Sequence, residues 1–269
     1  MISFANAKIN LGLSITEKRQ DGYHNIETIF YPVNLYDVIE FKEAEEFSFE
    51  AYGIDIPSDG TNLCTKAYNL LKNDFPQLKP FSIKLLKNIP VGAGLGGGSS
   101  DAAFVLKGLN ELNGLGLNCE QLQAYASKLG ADCAFFIENK TLFAEGIGTD
   151  FTEVSIDLSD YFIVIIKPEI HISTAEAYRN ITPQIPKVDL KRAIQLPIQE
   201  WKYYISNDFE LGIFEKYPII QQIKHKLYEK GALYASMSGS GSSVFGIFEE
   251  KINLDDISNL GKIYYPTEL

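Results

Sequence analysis

Residues 90–101 read Pro-Val-Gly-Ala-Gly-Leu-Gly-Gly-Gly-Ser-Ser-Asp, and five of these twelve residues are glycine. Upstream, Phe81, Ile83 and Leu85 alternate with polar residues, which predicts a half-buried strand. Downstream, apolar residues recur at three- and four-residue spacing over residues 102–112, which predicts a helix. The sequence therefore predicts a glycine-rich loop that joins a strand to the start of a helix.

Such a loop is suited to binding phosphate. The first N–H groups of a helix have no partner within the helix and lie at the positive end of its dipole. Glycine permits a positive φ and leaves no Cβ between the backbone and an oxygen anion. The alternative is an ordinary turn capped by Ser99 or Ser100, but a cap needs one serine and at most one glycine.

Composition limits the classes of partner. The chain has 269 residues, 45% of them hydrophobic, which is enough for one large domain or two of moderate size. Its formal charge of −11 disfavours nonspecific binding to nucleic acid or to acidic membranes. We therefore expect no nucleic-acid or membrane partner, and we expect any polyanionic ligand to be held by local donors. The protein is expected to be a monomer or a homodimer, a choice that the sequence does not decide.

The cysteines and the apolar runs indicate a compartment. Cys64, Cys119 and Cys133 have no C-x-x-C spacing, which argues against a disulfide framework or a zinc site and predicts buried thiols. No apolar run approaches the ~20 residues of a membrane span, and the first residues lack the features of a secretory or transit segment. We expect a cytoplasmic protein.

Three further segments carry polar groups in unusual settings. Lys8 and Asn10 share one face of a strand predicted over residues 2–15, where they either line a cleft or point to solvent. Residues 238–243 read Ser-Gly-Ser-Gly-Ser-Ser and lie between two predicted strands. They form either a simple hairpin turn or a second ligand-binding loop. Asp132 lies shortly after Gly130 in an apolar setting. It is either a functional carboxylate or a residue of a turn or helix cap.

Tyr23 and His24 follow an Asp-Gly turn. A lone histidine is more often structural than catalytic, but an adjacent aromatic ring and imidazole can stack on a planar base and hydrogen-bond to it.

The pattern changes after Gly148, so we predict one domain over residues 1–155 and a second over residues 156–269. Paired antiparallel strands are expected within residues 37–52, and helices at 174–180, 190–205 and 209–230.

The glycine stretch also raises two motif alternatives. Gly92, Gly94 and Gly97 satisfy G-x-G-x-x-G, so an NAD-linked oxidoreductase must be considered. That fingerprint needs an acidic residue at the end of a second strand, whereas Glu111 lies inside the following predicted helix. No Gly-Lys-Ser/Thr ends the stretch, which excludes a Walker A loop.

Three blocks resemble the signature motifs of the GHMP kinases, namely residues 5–11, 90–100 and 238–244. Four segments are similar to those of the branch that acts on 4-diphosphocytidyl-2-C-methyl-D-erythritol. They are residues 19–24, 130–132 and 206–208, together with the sequence Gly-Leu-Gly-Gly-Gly-Ser-Ser within the second motif. The resemblance spans about residues 5–250 and implies an α+β, two-domain GHMP kinase fold. The N-terminal domain would resemble domain 2 of ribosomal protein S5, and the C-terminal domain would be ferredoxin-like.

The resemblance implies transfer of the ATP γ-phosphoryl group to the 2-hydroxyl of the methylerythritol unit, in the non-mevalonate route to isoprenoid precursors. Asp132 would be the general base, with Lys8 keeping it ionised and stabilising the attacking oxygen. Mg²⁺ would arrive with ATP and keep mostly phosphate and water ligands, with no protein metal ligand assigned, although Ser99 or Ser100 could contact it. The sequence departs from the family pattern at Cys133-Ala134, where a small apolar residue and proline are usual.

The resemblance also implies the binding residues. The ATP-binding residues would be Pro90, Val91, Gly92, Ala93, Gly94, Leu95, Gly96, Gly97, Gly98, Ser99 and Ser100. The substrate-binding residues would be Asn10, Tyr23, His24, Tyr178, Gly239, Ser240 and Gly241, with cytosine held by Tyr23, His24 and Tyr178. A sister kinase acting on mevalonate or homoserine is the main alternative. A nucleotide-binding protein without catalysis is disfavoured because Lys8 and Asp132 are both present.

Overall fold

The computed structural model describes residues 1–56, 61–179 and 181–266. The chain forms two compact units, one from residues 1–7, 34–91 and 96–140 and the other from residues 8–33, 92–95 and 141–269. Strands β1 (Ile2–Lys18) and β2 (His24–Glu43) are long enough to supply residues to both units. The domain division at residue 155 stays a prediction.

In the first unit, strands β3 (Ser48–Gly53) and β4 (Phe81–Lys87) pair in parallel, and β4 pairs antiparallel with residues 38–43 of β2. The expected antiparallel pairing within residues 37–52 is therefore wrong. Helix α1 (Leu63–Asp74) lies between β3 and β4 in the chain, and such a crossover is what parallel pairing requires. The unit also contains α2 (Gly97–Asn113), α3 (Cys119–Leu129) and α4 (Ala131–Glu138).

Local sequence explains where these helices begin. Asn62 caps α1, because its side chain accepts a hydrogen bond from the Thr65 N–H at 2.9 Å. Asn118 and Gln121 form a capping box at α3. The burial of Cys64 and Cys133 agrees with the prediction, but Cys119, the first residue of α3, is exposed and corrects it.

In the second unit, strand β5 (Leu142–Glu145) pairs antiparallel with residues 28–30 of β2 and with β6 (Asp150–Glu153). A separate antiparallel sheet has the order β10-β7-β9-β8. Its strands are β7 (Phe162–Lys167), β8 (Tyr234–Met237), β9 (Val244–Phe248) and β10 (Lys262–Tyr264). The core of this unit contains Val164, Ile220 and Leu227.

Prolines divide two of the predicted helices of the second unit. The segment 190–205 is split into α6 (Leu190–Ala193) and α7 (Ile198–Tyr204), and the segment 209–230 into α8 (Phe209–Lys216) and α9 (Pro218–Glu229). Proline lacks an N–H and is tolerated only in the first turn of a helix, so each new helix starts at or next to one. Helix α5 (Thr174–Tyr178) ends before Asn180, which lies outside the described residues.

The helices of the second unit are short. Across the described ranges, none of the helices has the length and apolar character needed to cross a bilayer.

Candidate active site

Lys8 and Asn10 lie side by side in the interior of the second unit. The Lys8 Nζ donates a hydrogen bond to Asn10 Oδ1 at 2.7 Å, and Asn10 Nδ2 donates to Thr28 Oγ1 at 2.9 Å. Lys8 is only 3% exposed to solvent and Asn10 only 2%. Lys8 Nζ also lies 5.1 Å from the centroid of the Phe30 ring. The predicted shared face is confirmed, and the alternative that both side chains point to solvent is wrong.

The second glycine loop lies against this pair. A Cβ at Gly239 would be 3.3 Å from Asn10 Oδ1 and 3.4 Å from Lys8 Nζ. Gly239 and Gly241 have φ values of 54° and 86°, which L residues rarely adopt. The structure thus brings Gly239 together with Lys8 and Asn10. Contacts of Gly239, Ser240 and Gly241 with a substrate stay a prediction.

The first part of the glycine stretch, residues 92–95, also belongs to the second unit. The Ser238 hydroxyl donates to the Gly94 carbonyl at 2.8 Å, and the Ser243 N–H donates to the Ala93 carbonyl at 3.2 Å. A Cβ at Gly94, whose φ is +76°, would lie 1.9 Å from the Ser238 carbonyl oxygen. The Lys8 N–H donates to the Leu95 carbonyl at 3.0 Å. Glycine at position 94 therefore permits the close approach of two loops that the sequence had singled out separately.

The rest of the stretch starts helix α2 in the first unit. The helix begins at Gly97, after Gly96 with a φ of 70°, and among the described residues no side chain caps it. The alternative of an ordinary serine cap is therefore wrong. Outside the backbone of its own helix, a Cβ at Gly98 would meet no described protein atom within 4 Å, so the first turn is open on the Gly98 side. Ser100 is fully buried, whereas Ser99 is half-buried.

Sequence reasoning missed a buried ionic cluster beneath this helix start. Lys87 Nζ lies 3.0 Å from Asp101 Oδ2 and also contacts the Asp37 carboxylate. Asp37 Oδ1 accepts hydrogen bonds from the N–H groups of Asn88 at 2.6 Å and Ile89 at 2.8 Å. The cluster thus fixes the backbone directly before Pro90. Its three charged residues are far apart in the chain, and no local pattern relates them.

The surroundings of Asp101 change its titration. Burial raises the pKa of Asp101 to about 8, because the lowering by Lys87 does not outweigh burial together with the neighbouring Asp37. Asp101 Oδ1 and Ser100 Oγ are buried and have no hydrogen-bond partner among the described residues. The folded protein therefore favours the protonated form of Asp101 more than an exposed carboxyl group would.

Asp132 occupies the first turn of α4. Gly130 is the N-cap residue, so Asp132 does not cap the helix through its side chain, although a carboxylate in the first turn is favoured by the helix dipole. The adjacent Cys133 is buried, and burial raises the pKa of its thiol to about 11, opposed by a hydrogen bond with Ser99. The catalytic role of Asp132 stays a prediction.

The three aromatic residues assigned to the base separate into a pair and a single ring. His24 and Tyr178 stack, with ring centroids 4.7 Å apart and planes at 22°, and Tyr178 packs its ring against Phe209 at 4.8 Å. Burial lowers the pKa of His24, and the nearby charge of Lys18 lowers it further. Tyr23 is 63% exposed and makes no part of this stack.

The chain matches the sequence models of a known protein family and is similar to known proteins along most of its length. Residues 62–140 match the N-terminal domain of the GHMP kinases, and residues 195–264 match their C-terminal domain. The chain is 55% identical over 263 residues to 4-diphosphocytidyl-2-C-methyl-D-erythritol kinase of Bacteroides thetaiotaomicron, covering 95% of each chain. It is 51% identical over 260 residues to the protein of that name from Parabacteroides distasonis, covering 96% of this chain and 95% of the relative.

Solved structures agree with these sequence relatives. A crystal structure of 4-(cytidine 5'-diphospho)-2C-methyl-D-erythritol kinase superposes with a TM-score of 0.81 at 29% identity, covering 98% of both chains. Homoserine kinase from Cytophaga hutchinsonii superposes with a TM-score of 0.71 at 16% identity, which shows a common fold alone. The predicted two-domain GHMP kinase fold with mixed α and β content is confirmed. Likeness along nearly the whole chain, with all three motifs present, places this chain among the GHMP kinases, in the family of the 4-diphosphocytidyl-2-C-methyl-D-erythritol kinases.

Proposed function

We propose that the chain transfers the γ-phosphoryl group of ATP to the 2-hydroxyl of 4-diphosphocytidyl-2-C-methyl-D-erythritol, giving the 2-phosphate and ADP in non-mevalonate isoprenoid precursor biosynthesis. The observation that carries this proposal is the buried Lys8 ammonium, held by Asn10 beside the Gly239 loop. Phosphoryl transfer needs mainly positioning and neutralisation of charge, and a fixed, buried cation supplies both. The identity of the acceptor is taken from the names of relatives that match along nearly the whole chain.

The proposed nucleotide site is the glycine stretch. Its backbone N–H groups at the start of α2, where Gly98 faces open space, would bind the phosphate oxygens. No basic side chain is required for such a cradle, because the helix dipole and several N–H groups act on the same oxygens. Pro90 to Ser100 remain the proposed ATP-binding residues.

Two side chains would do the chemistry. Asp132 would accept the proton of the acceptor 2-hydroxyl as the oxygen attacks the γ-phosphorus, and the bond from that phosphorus to the β,γ-bridging oxygen would break. Lys8 would stabilise the negative charge on the attacking oxygen and on the transferred group. The acceptor would lie near Asn10, Gly239, Ser240 and Gly241.

The residues present fit a magnesium ion that is bound mainly through ATP. Such an ion keeps mostly phosphate and water ligands and needs few from the protein. Ser99, half-buried in the first turn of α2, could add a hydroxyl ligand, whereas Ser100 is fully buried. The ion would neutralise phosphate charge; proton removal and acceptor positioning belong to the chain's own residues.

The cytosine ring is proposed to bind at His24 and Tyr178, with Tyr23 nearby in sequence. Only a nucleotide-bearing acceptor needs a base site, which favours this substrate over mevalonate or homoserine. A cytoplasmic monomer or homodimer remains part of the proposal. The charge of −11 supports the proposed lack of a nucleic-acid or membrane partner.

The test is ADP release with Mg-ATP and 4-diphosphocytidyl-2-C-methyl-D-erythritol, with mevalonate and homoserine as competing acceptors. We expect turnover with the first acceptor, lost in Asp132→Asn and Lys8→Met while ATP binding, measured by calorimetry, is retained. Glu120→Gln, in the first turn of α3, and Lys66→Met, on the exposed side of α1, are the matched controls. Turnover only with mevalonate or homoserine would move the chain to a sister activity.

A further inference from the structure

Asn207 lies just before α8 and uses all of its amide group in the interior of the second unit. Its Nδ2 donates to the carbonyl oxygens of Met237 and Gly239, both at 2.8 Å, and its Oδ1 accepts from the Phe209 N–H at 3.0 Å. The residue is only 3% exposed. A single side chain therefore clamps the backbone on both sides of Ser238, where the second glycine loop begins.

The neighbours of Asn207 attach this clamp to strand β1. The Leu13 N–H donates to the Ser206 carbonyl and the Asp208 N–H donates to the Leu13 carbonyl, both at 2.9 Å. The Ile15 N–H donates to Asp208 Oδ2 at 2.7 Å. Segment 206–208 thus joins the loop at Gly239 to the strand that carries Lys8 and Asn10.

We propose that Asn207 is a positioning residue that holds Gly239 against Lys8 and Asn10, an inference that rests on the function proposed above. It touches no reacting atom and acts through the Gly239 carbonyl. The Cβ position of Gly239 is only 3.3 Å from Asn10 Oδ1 and 3.4 Å from Lys8 Nζ, so movement of this backbone changes the space beside the ammonium. Misplacement by about 1 Å is enough to cost about 100-fold in rate at a phosphoryl-transfer site.

Glu210 and Tyr228 hold strand β8 but do not bind the Gly239 carbonyl, whereas the loop's own Ser238 and Ser242 hydroxyls bind the carbonyls of Gly94 and Ile170. Glu210 accepts from the Met237 N–H at 2.8 Å and from the Ser236 hydroxyl at 3.1 Å, and its other oxygen pairs with Lys224 at 2.6 Å. Tyr228 exchanges two hydrogen bonds with Ala235, at 3.1 and 3.2 Å. Loss of Asn207 would therefore remove the side-chain donor that fixes the Gly239 carbonyl, while Glu210 and Tyr228 keep strand β8 in place.

The test compares Asn207→Asp with Tyr228→Phe. Asp is isosteric and keeps the acceptor for the Phe209 N–H, but it replaces the two N–H donors with an oxygen that faces two carbonyls. Tyr228→Phe removes a side-chain clamp from the same strand two residues earlier, so it serves as the matched control for lost stability. Steady-state kinetics and hydrogen exchange across residues 238–243 are measured for both variants at the same interval below their melting temperatures.

In Asn207→Asp we expect kcat to fall by about 10- to 100-fold while KM for ATP stays within about threefold, and exchange across 238–243 to rise. In Tyr228→Phe we expect kcat within about twofold and unchanged exchange in that segment. Equal losses in the two variants, or an Asn207→Asp enzyme that works like the wild type, would overturn the proposal. If Asn207→Asp does not fold, Asn207→Ser is measured in its place with the same criteria.

A wild type without turnover would count against the proposed function and not against the clamp. In that case, unchanged hydrogen exchange across residues 238–243 in the Asn207 variant would show that Asn207 does not hold this loop. Faster exchange would support its positioning role, and the reaction that this role serves would then be a different one.

Discussion

The imidazole of His24 lies directly on the ring of Tyr178, with the two centroids 4.7 Å apart and the planes at 22°. A base inserted between two rings needs about 7 Å between them, since each stacked contact takes about 3.5 Å. The two rings are therefore too close to hold a cytosine between them as they lie here. A base must stack on one outer face of the pair, or the pair must open.

We predict that the base stacks on the outer face of Tyr178 or enters between the two rings once they open, because in both cases the Tyr178 ring contacts the base and contributes to acceptor affinity. We expect Tyr178→Ala to raise KM for the cytidine-bearing acceptor by about 5- to 150-fold, the equivalent of about 1–3 kcal/mol for one base–aromatic stack, and to leave KM for ATP unchanged. Tyr178→Phe, which keeps the ring, should stay within about threefold of the wild type. An acceptor KM that does not move in Tyr178→Ala would remove this ring from the substrate site.

Gly98 offers a test of the phosphate cradle that separates binding from stability. Its Cβ position has no described protein atom within 4 Å, and the residue is helical, so Gly98→Ala should add about 0.4–1 kcal/mol to the free energy of unfolding. The same methyl group would occupy the space proposed for phosphate oxygens, and we expect KM for ATP to rise at least about tenfold, an estimate from a lost charge-assisted contact.

Gly97→Ala is the comparison for Gly98→Ala. At Gly97 a Cβ would lie 2.8 Å from Lys87 Nζ and from Ile89 Cγ2, so this variant should lose stability instead. Denaturant unfolding and ATP kinetics on both proteins check the prediction. A Gly98→Ala enzyme with unchanged KM for ATP would argue that the phosphates bind elsewhere.

The contact between the two glycine loops can be tested at Gly94. Gly94→Ala combines an unfavourable φ of +76° with a Cβ only 1.9 Å from a backbone oxygen of Ser238, which no side-chain movement relieves. Gly22→Ala has a similar φ of +87° and no described atom within 4 Å, so it measures the backbone strain alone, about 1–2 kcal/mol. We expect Gly94→Ala to lose clearly more stability than Gly22→Ala by urea unfolding. Equal losses would mean that the loops separate at little cost.

The sequence predicted the elements whose causes are local. Helix α2 covers the predicted residues 102–112 because the apolar spacing that defines it lies within one segment. The shared face of Lys8 and Asn10 follows from the two-residue period of a strand. The breaks at Pro197 and Pro218 could also have been read from the sequence, since proline interrupts a helix.

What could not be predicted depends on long-range contacts. The parallel pairing of β3 with β4 depends on the crossover through α1, and the pattern of residues 48–53 is the same for either direction of pairing. The roles of Asp37 and Asn207 have no local signal, because their partners lie about fifty and thirty residues away. The stacking of His24 on Tyr178 was not expected from residues assigned to opposite faces of one base.

Asp101 makes the stability of the protein depend on pH in a direction that can be worked out. Its pKa is about 8 in the folded protein and about 3.8 when exposed, so between these values the folded state holds a proton that the unfolded state releases. The associated stability is fully present below about pH 3.8 and is lost as the pH rises toward 8. Asp101→Asn carries no such proton, yet it can keep an acceptor for Lys87 at nearly the same volume.

We therefore expect Asp101→Asn to gain stability relative to the wild type as the pH rises, by about 1 kcal/mol or more between pH 5 and pH 8. Urea unfolding at several pH values gives this difference directly. Glu111→Gln, an exposed change on the same helix, should follow the wild-type curve in parallel. If Asp101→Asn also runs parallel to the wild type, Asp101 is ionised throughout this range, and the ion pair with Lys87 at 3.0 Å outweighs the burial of the carboxyl group.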